Sequence, residues 1–521
     1  MMISVNRIWW ALAGALMVST SSLQAQEVRR LRTLAGNLPK SASVRAVVGK
    51  IDTNRIKSGL ARPKTVGTPR PEHELPQIKS RGRLKTASMR VGGVRWEDET
   101  KVVSSFSGLR ATGYLPPDPA LSVGPTNLVI ATNTDLAGYS KAGEKLFEMP
   151  LGPDQANSFF KPFGLQGDLF DPKLVYDASA KRHVLLVLHR SETKKQSSIL
   201  LAISDDEDPV GTWNLLKMDS LVKQEKESLW VDYATVAVTR DAIVVTGNLY
   251  DYEAGDWSGV IYRALPKDDA YAGKPVRWVD VLDTSGDHFT VQLAQGDGGE
   301  EFALGASYAF ADDLVTFHKL VYTDGNLQVE RTEIGVPEAA RPPRGIPMRG
   351  TDDRIDPCGF RLISSSRQGH RLATLHVMKE PDSDRTSARW YEADLSDFET
   401  PTLVQVGSIT GTRDSFTSAS ALAFGSDGSL GFVVSASSDD TYPAVYVTGR
   451  LASDPPGSVA GPAELRSSVR HFDAFEEGVE RWGDYFSVQA DPVEAGLFWA
   501  IGETADESGS WVTWIGSFRL R

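Results

Sequence analysis

The stretch Trp230–Tyr250, WVDYATVAVTRDAIVVTGNLY, decides the fold. Two runs rich in Val, Ile, Thr and Tyr flank the turn Thr239-Arg240-Asp241, and an Asp-Tyr pair opens the first run. β-Branched and aromatic residues between polar turn residues read as short strands. Similar runs recur at His183–His189 (HVLLVLH), Ser198–Ser204 (SILLAIS), Gly431–Ser435 (GFVVS) and Leu497–Ile501 (LFWAI). No long segment keeps an apolar period of 3.6 residues, so few helices are expected and the fold class is all-β.

Working outward from Asp232, the Asp recurs. Strand starts share Asp followed by Pro or Tyr at Asp118, Asp171, Asp232, Asp356 and Asp484, and Trp482-Gly-Asp484-Tyr485 nearly repeats Trp230-Val-Asp232-Tyr233. The gaps are 53, 61, 124 and 128 residues. The two long gaps are about double the short ones, so units lacking their Asp are expected near residues 290 and 420. Phe289–Ala294 with Phe302–Phe310, and Ser418–Phe424 with Leu430–Ser435, read as strand pairs in those places. Four short strands with turns take about 40 to 60 residues, the size of a propeller blade. The expectation is a seven-bladed β-propeller, because ring closure protects sheet edges. A pair of stacked sandwiches is the structural alternative, and it would not need regular spacing.

The chain has 521 residues, 41% of them hydrophobic and 24% charged. Disorder and collagen are excluded, and the single cysteine, Cys358, excludes an intrachain disulfide and a thiolate zinc cluster. Arg7, the apolar Ile8–Val18 and a small-residue stretch ending at Ala25 have the order of a secretory signal. Residues 27–95 carry 17 basic and 4 acidic residues. The whole chain has a net charge of −12, so the remainder is strongly acidic. The expected organisation is a signal peptide at 1–25, a basic, Pro- and Ser-rich, poorly structured extension at 26–100 and the propeller at 101–521. The extension reads as a solvated tether, a basic arm for an anionic surface, or a removable pro-segment on the acidic body. An acidic body repels phosphates, so no nucleic-acid partner is expected, and no run is long enough for a transmembrane segment. A periplasmic or extracellular monomer is expected.

The motifs also carry a resemblance. Gly113–Asn133 (GYLPPDPALSVGPTNLVIATN), Phe170–Asp177 (FDPKLVYD), Asp232–Asn248, Tyr442–Arg450 (YPAVYVTGR), Arg481–Trp499 (RWGDYFSVQADPVEAGLFW) and Trp514–Phe518 (WIGSF) resemble, in order, blades of a family of secreted bacterial seven-bladed β-propellers. The resemblance spans residues 106 to 520 and implies that fold and export, with no established reaction. The chain departs from the pattern at Phe486, Ala495 and Gly496, where the family carries a hydroxylated residue and an acidic pair. Ser204–Trp213 (SDDEDPVGTW) resembles the Asp-box turn of sialidase-type propellers, which implies a structural role and blade architecture.

Candidate functional residues follow from where blades begin. Asp118, Asp171, Asp232, Asp356 and Asp484 would ring an axial funnel, where oxygen ligands suit Ca²⁺. The competing reading is that each Asp satisfies backbone N–H groups in its turn. His288, Arg354 and Asp353 break the repeat and are the candidates for acid–base work and for clamping an anionic sugar. Asp287, Trp257 and Trp511 are the ligand-binding candidates, Trp by stacking on sugar faces. His183 with His189, and His370 with His376, are spaced to share a strand face, as metal pairs or as buried strand residues. Cys358 reads as a small core residue. The expected role is binding of a polysaccharide or cell-surface protein on the funnel face. The alternative is a polysaccharide-degrading hydrolase or lyase acting in the funnel.

Overall fold

The structure is a computed structural model that describes residues 26–37, 46–55, 80–86, 89–152, 157–224, 227–309, 312–381, 383–474 and 478–521. The signal-like segment lies outside these residues. Seven antiparallel-cored sheets of four or five strands follow one another along the chain, with one small three-stranded sheet besides. Their innermost strands are Ala120–Val123, Asp168–Asp177, Glu227–Val238, Gln292–Leu293, Ser364–Gln368, Phe416–Phe424 and Ser487–Ala490. Each innermost strand touches the next, and the seventh touches the first. The fold is therefore a β-propeller, and seven sheets agree with the spacing of the repeat. Among the described residues the only α-helix is the five-residue Lys267–Tyr271, and none is long and apolar enough to cross a membrane.

Blades stack face to face, so their middle strands are buried on both sides. That is why Ala242–Asp251 and Arg182–Ser191 run as near-continuous buried stretches without alternation. Leu136, Phe147 and Met149 of the first blade pack with Leu185, Leu200 and Trp213 of the second. Fully burying such a side chain contributes about 1.5–3 kcal/mol. Trp213 ends the Asp-box-like turn, and its indole N–H donates to Pro209 O at 3.0 Å. The turn is built as its sequence implies, since Asp206 accepts from the Asp208 N–H at 2.8 Å and Asp208 from the Val210 N–H at 2.9 Å.

The ring closes through the N-terminal side of the chain. Val94–Arg110 pairs antiparallel with Trp511–Leu520 and forms the outer strand of the last blade, so this closing strand runs across residue 100. The described parts of the basic stretch before it are not loose. Val28–Asn37 pairs along the outer edge of the fourth blade, against Asn326–Gly335. Val47–Asp52 pairs with the outer strand of the second blade, Thr212–Asp219. Charge complementarity explains why these described segments lie on the blades. Arg29 and Arg81 both reach the buried Glu333, and Arg83 meets Asp313 at 3.1 Å.

The Asp repeat has a backbone cause. Asp118, Asp171, Tyr233, Thr290 and Cys358 sit at φ of 49°, 53°, 51°, 53° and 70°. This is the left-handed region, which Asp tolerates better than most residues. Thr290 occupies the turn in the unit that lacks its Asp. In the third blade Tyr233 holds it, so Asp232 is one residue out of register with Asp171.

Candidate functional site

The channel axis has an upper mouth, where innermost strands begin, and a lower mouth, where they end. The upper mouth holds a buried layer of charge. The Asp118 carboxylate accepts from the Asp484 N–H at 2.7 Å and from the Asn133 amide at 2.8 Å. The Asn133 amide oxygen accepts from the Asp171 N–H at 2.8 Å, and the Asp171 carboxylate accepts from the Tyr233 N–H at 2.9 Å. Blades seven, one, two and three are thus tied in sequence by side chain to backbone bonds. Asn248 repeats the device, accepting from the Thr290 N–H at 2.9 Å.

Cations and rings fill the centre of this layer. The Lys173 ammonium lies 2.7 Å from the Tyr485 ring centroid and 5.4 Å from that of Tyr233. The Arg361 guanidinium covers the other side of Tyr233 at 4.1 Å and faces the Asp484 carboxylate at 3.4 Å. Below them the axis encloses a cavity of about 50 Å³, lined in part by Lys173 and Tyr485. Burial, with the Asp484 charge beside it, raises the Asp118 carboxyl to about 6. Burial and the charge of Asp232 push Asp171 well above the usual carboxylate range. Burial lowers Lys173 to about 7, against the pull of Asp171 and Asp118. Glu503 is fully buried, neither carboxylate oxygen has a hydrogen-bond partner, and burial raises it well above its ordinary value.

Three of the five predicted Asp residues, Asp118, Asp171 and Asp484, therefore meet at the axis. Asp232 accepts from its neighbour's N–H at 2.8 Å, and Asp356 accepts from the Cys358 N–H at 2.9 Å. Each thus does the acceptor work that the turn reading gives it. Among the described residues no three of His, Cys, Asp and Glu are grouped to hold a metal ion. Lys173, Arg361, Tyr485 and Glu503 were not singled out from the sequence. Lys173 stands two residues after a repeat Asp, in the pattern FDPK, and that placement was the one available signal.

The asymmetric candidates do not assemble. His288 is buried in the fourth blade, 5.0 Å from the His318 ring and beside Ser307 at 3.5 Å. Burial, with the charges of Arg331 and Arg81 around it, holds it neutral. Arg354 lies in the small three-stranded sheet, half-exposed and 3.9 Å from Asp439. Asp353 accepts from the Thr351 hydroxyl, which donates at 2.9 Å. Asp287 pairs with Arg81 at 3.5 Å. Trp511 is 1% exposed and its N–H donates to Tyr114 O at 2.8 Å, so it offers no face to a sugar. His183 bonds Ser122 at 2.6 Å and Asn127 at 2.9 Å, and His376 bonds Phe360 O and Tyr391. Both are buried strand residues. The Cys358 thiol is buried and donates to Gly483 O at 2.8 Å.

Trp257 fares differently. It is half-buried on the upper face of blade three and meets Phe289 edge-on at 5.6 Å. It belongs to an aromatic shelf with Trp230, Tyr250, Tyr252 and the half-buried Phe170. The Arg190 guanidinium stacks 3.8 Å from the Trp230 ring. Asp168 and Asp256, exposed, and Asp232, half-buried, stand on the flanking segments of this shelf.

No protein-family model and no curated protein matches the chain. Several solved structures are similar at low identity. The NanB sialidase from Streptococcus pneumoniae shows 8% identity and a TM-score of 0.39, over 75% of this chain and 83% of its own. The alpha-L-arabinanase of Penicillium chrysogenum shows 10% identity and a TM-score of 0.38, over 80% and 99%. The β-propeller domain of the Trilobed protease from Pyrococcus furiosus shows 9% identity and a TM-score of 0.36, over 77% and 94%. No residue role is carried over from any of them.

Proposed function

We propose that this chain is an exported carbohydrate-binding propeller whose ligand sits off-axis, on the aromatic shelf of blades two and three. The observation that carries the reading is the half-buried Trp257 and Phe170 in one aromatic cluster, with Asp168 and Asp232 on the strands that carry Phe170 and Trp230. Pyranose rings present apolar C–H faces to aromatic planes, and their hydroxyls donate to carboxylates. The axis itself is occupied at this mouth, so a polymer reads the shelf rather than a central funnel. The signal-like start of the sequence supports export. A Ca²⁺ requirement finds no support in the way the axial Asp residues are used.

A second reading has its own observation. Asp118 and Lys173 titrate close to neutrality on adjacent blades, which is what an acid–base pair for polysaccharide cleavage would need. One experiment separates the two. Neutral and anionic polysaccharides are added to the purified chain, and melting temperature, new reducing ends and unsaturated uronic products are read together. The binding reading expects stabilisation without product, weakened about tenfold in Kd by Trp257→Ala, which is about 1.4 kcal/mol. Product formation abolished by Lys173→Met would favour the enzyme. Stabilisation untouched by Trp257→Ala would overturn the shelf assignment.

A further inference from the structure

The lower mouth of the axis is built differently from the upper, and neither the shelf nor the charged layer uses it. It opens into a cavity of about 410 Å³ to which six blades contribute. Ligand pockets span about 300–1,000 Å³. Its inner end is closed. The Gln489 amide donates to Leu121 O at 2.8 Å, Leu174 O at 3.1 Å and Gln295 Oε1 at 3.1 Å. Its own oxygen accepts from the Val123 N–H at 3.1 Å. Both amide hydrogens and one oxygen lone pair go to this plug, so a ligand enters the cavity from the lower face.

The polar lining is one-sided in what it offers. Arg367 is 7% exposed, and three of its five N–H groups are already committed. Nη1 donates to Phe302 O at 2.6 Å, Nε and Nη2 to Gly369 O at 3.0 and 2.6 Å, and the Glu300 carboxylate stands 3.8 Å away. Two N–H groups stay uncommitted, but the guanidinium is buried and its charge is offset by Glu300, while the exposed Asp297 carboxylate sets the rim against an incoming anion. Acceptors remain. Asp297 is exposed and spends one oxygen on the Gly299 N–H at 2.8 Å. The Gln368 amide donates to Gly425 O at 3.0 Å and Ser426 O at 2.8 Å, which leaves its oxygen to accept. Val175, Phe424 and Pro492 supply apolar surface between these groups.

We propose that the lower mouth is a second binding site, for a small hydrogen-bond-donating ligand: a neutral or amine-bearing sugar of one or two rings, and not an anionic one. This site does not depend on the shelf.

The test uses the full chain and ligand-observed saturation-transfer NMR with D-glucosamine, cellobiose and D-glucuronate as probes. Ala178→Trp fills the cavity from an exposed rim position. Asp297→Ala removes the exposed acceptor without touching a buried group. Trp257→Ala controls for the upper face. The expected result is binding of glucosamine and cellobiose, weakened at least tenfold by Ala178→Trp and unchanged by Trp257→Ala. Asp297→Ala should weaken glucosamine more than cellobiose. Should Ala178→Trp fail to fold, the Asp297→Ala selectivity still decides. Glucuronate binding as tightly as glucosamine, no binding of any probe, or loss through Trp257→Ala instead would each overturn the proposal.

Discussion

The two mouths of one channel use charge in opposite ways. At the upper mouth Asp118, Asp171 and Asp484 are buried, and the first two spend their carboxylates on backbone N–H groups of neighbouring blades. At the lower mouth Asp297 is exposed and its carboxylate accepts only from the Gly299 N–H of its own loop. The comparison teaches that a carboxylate near a propeller axis is defined by what it accepts from, not by its distance from the axis. Buried acceptors that bridge blades hold the ring together. Exposed acceptors on a closed recess remain for a ligand.

Substitutions should expose this division, beginning with the largest effect. Asp171→Ala removes the acceptor that ties the Tyr233 N–H to blade two, leaving that N–H only Asp232 of its own turn, and takes from Lys173 the strongest of its carboxylate charges. Urea unfolding should register a loss of about 3 kcal/mol; a loss below about 1 kcal/mol would remove the bridge from the account. Glu503→Gln works the other way. Its folded pKa is raised, so the wild-type chain loses stability as pH rises above the ordinary carboxylate value. The Gln variant should gain about 1 kcal/mol at pH 8 and nothing near pH 4. A loss at pH 8 that is absent near pH 4 would mean that Glu503 is held as an anion by a favourable ionic partner, against this account.

Lys173 gives a smaller, pH-dependent signature. Its folded pKa is lowered to about 7, so between pH 7 and its ordinary value the unfolded chain binds more protons. Stability from this group therefore rises with pH across that window. Lys173→Met should flatten the rise in melting temperature between pH 7 and 10, and an unchanged slope would contradict the placement of the half-buried ammonium against the Tyr485 ring. Acid adds a separate loss. His183 and His376 are held down to about 3 by burial, so stability should fall as pH drops below 6.5. The smallest effect belongs to the lower mouth, where Asp297→Ala should shift stability by less than about 0.5 kcal/mol.

Much of the architecture was legible before the structure, and for a physical reason. The turns that start the first five inner strands hold a left-handed residue, and in the first two Asp satisfies both that backbone and a neighbouring blade's N–H. The same reasoning explains what was missed. Tyr233 and Thr290 fill the same turn without an Asp, so the repeat looked irregular where the backbone is regular. His288 and Arg354 broke the pattern and drew attention as chemistry. In the folded chain His288 is buried beside His318, and Arg354 belongs to the small sheet. Glu503 lies mid-strand with no spacing signal, and its isolation follows only from how blades seven and one meet. Composition left the basic residues 27–95 open between a tether, a surface-binding arm and a segment lying on the acidic body, because it cannot show that Glu333, Asp312 and Asp313 of the fourth blade meet Arg81 and Arg83.

The most direct measurement is a pair of equilibrium urea unfolding curves, for Asp171→Ala and Asp297→Ala, at pH 7 against wild type. The account predicts that the first loses about 3 kcal/mol and the second stays within about 0.5 kcal/mol. Equal losses, or the larger one at Asp297, would contradict the division between a mouth that holds the ring and a mouth left open for a ligand.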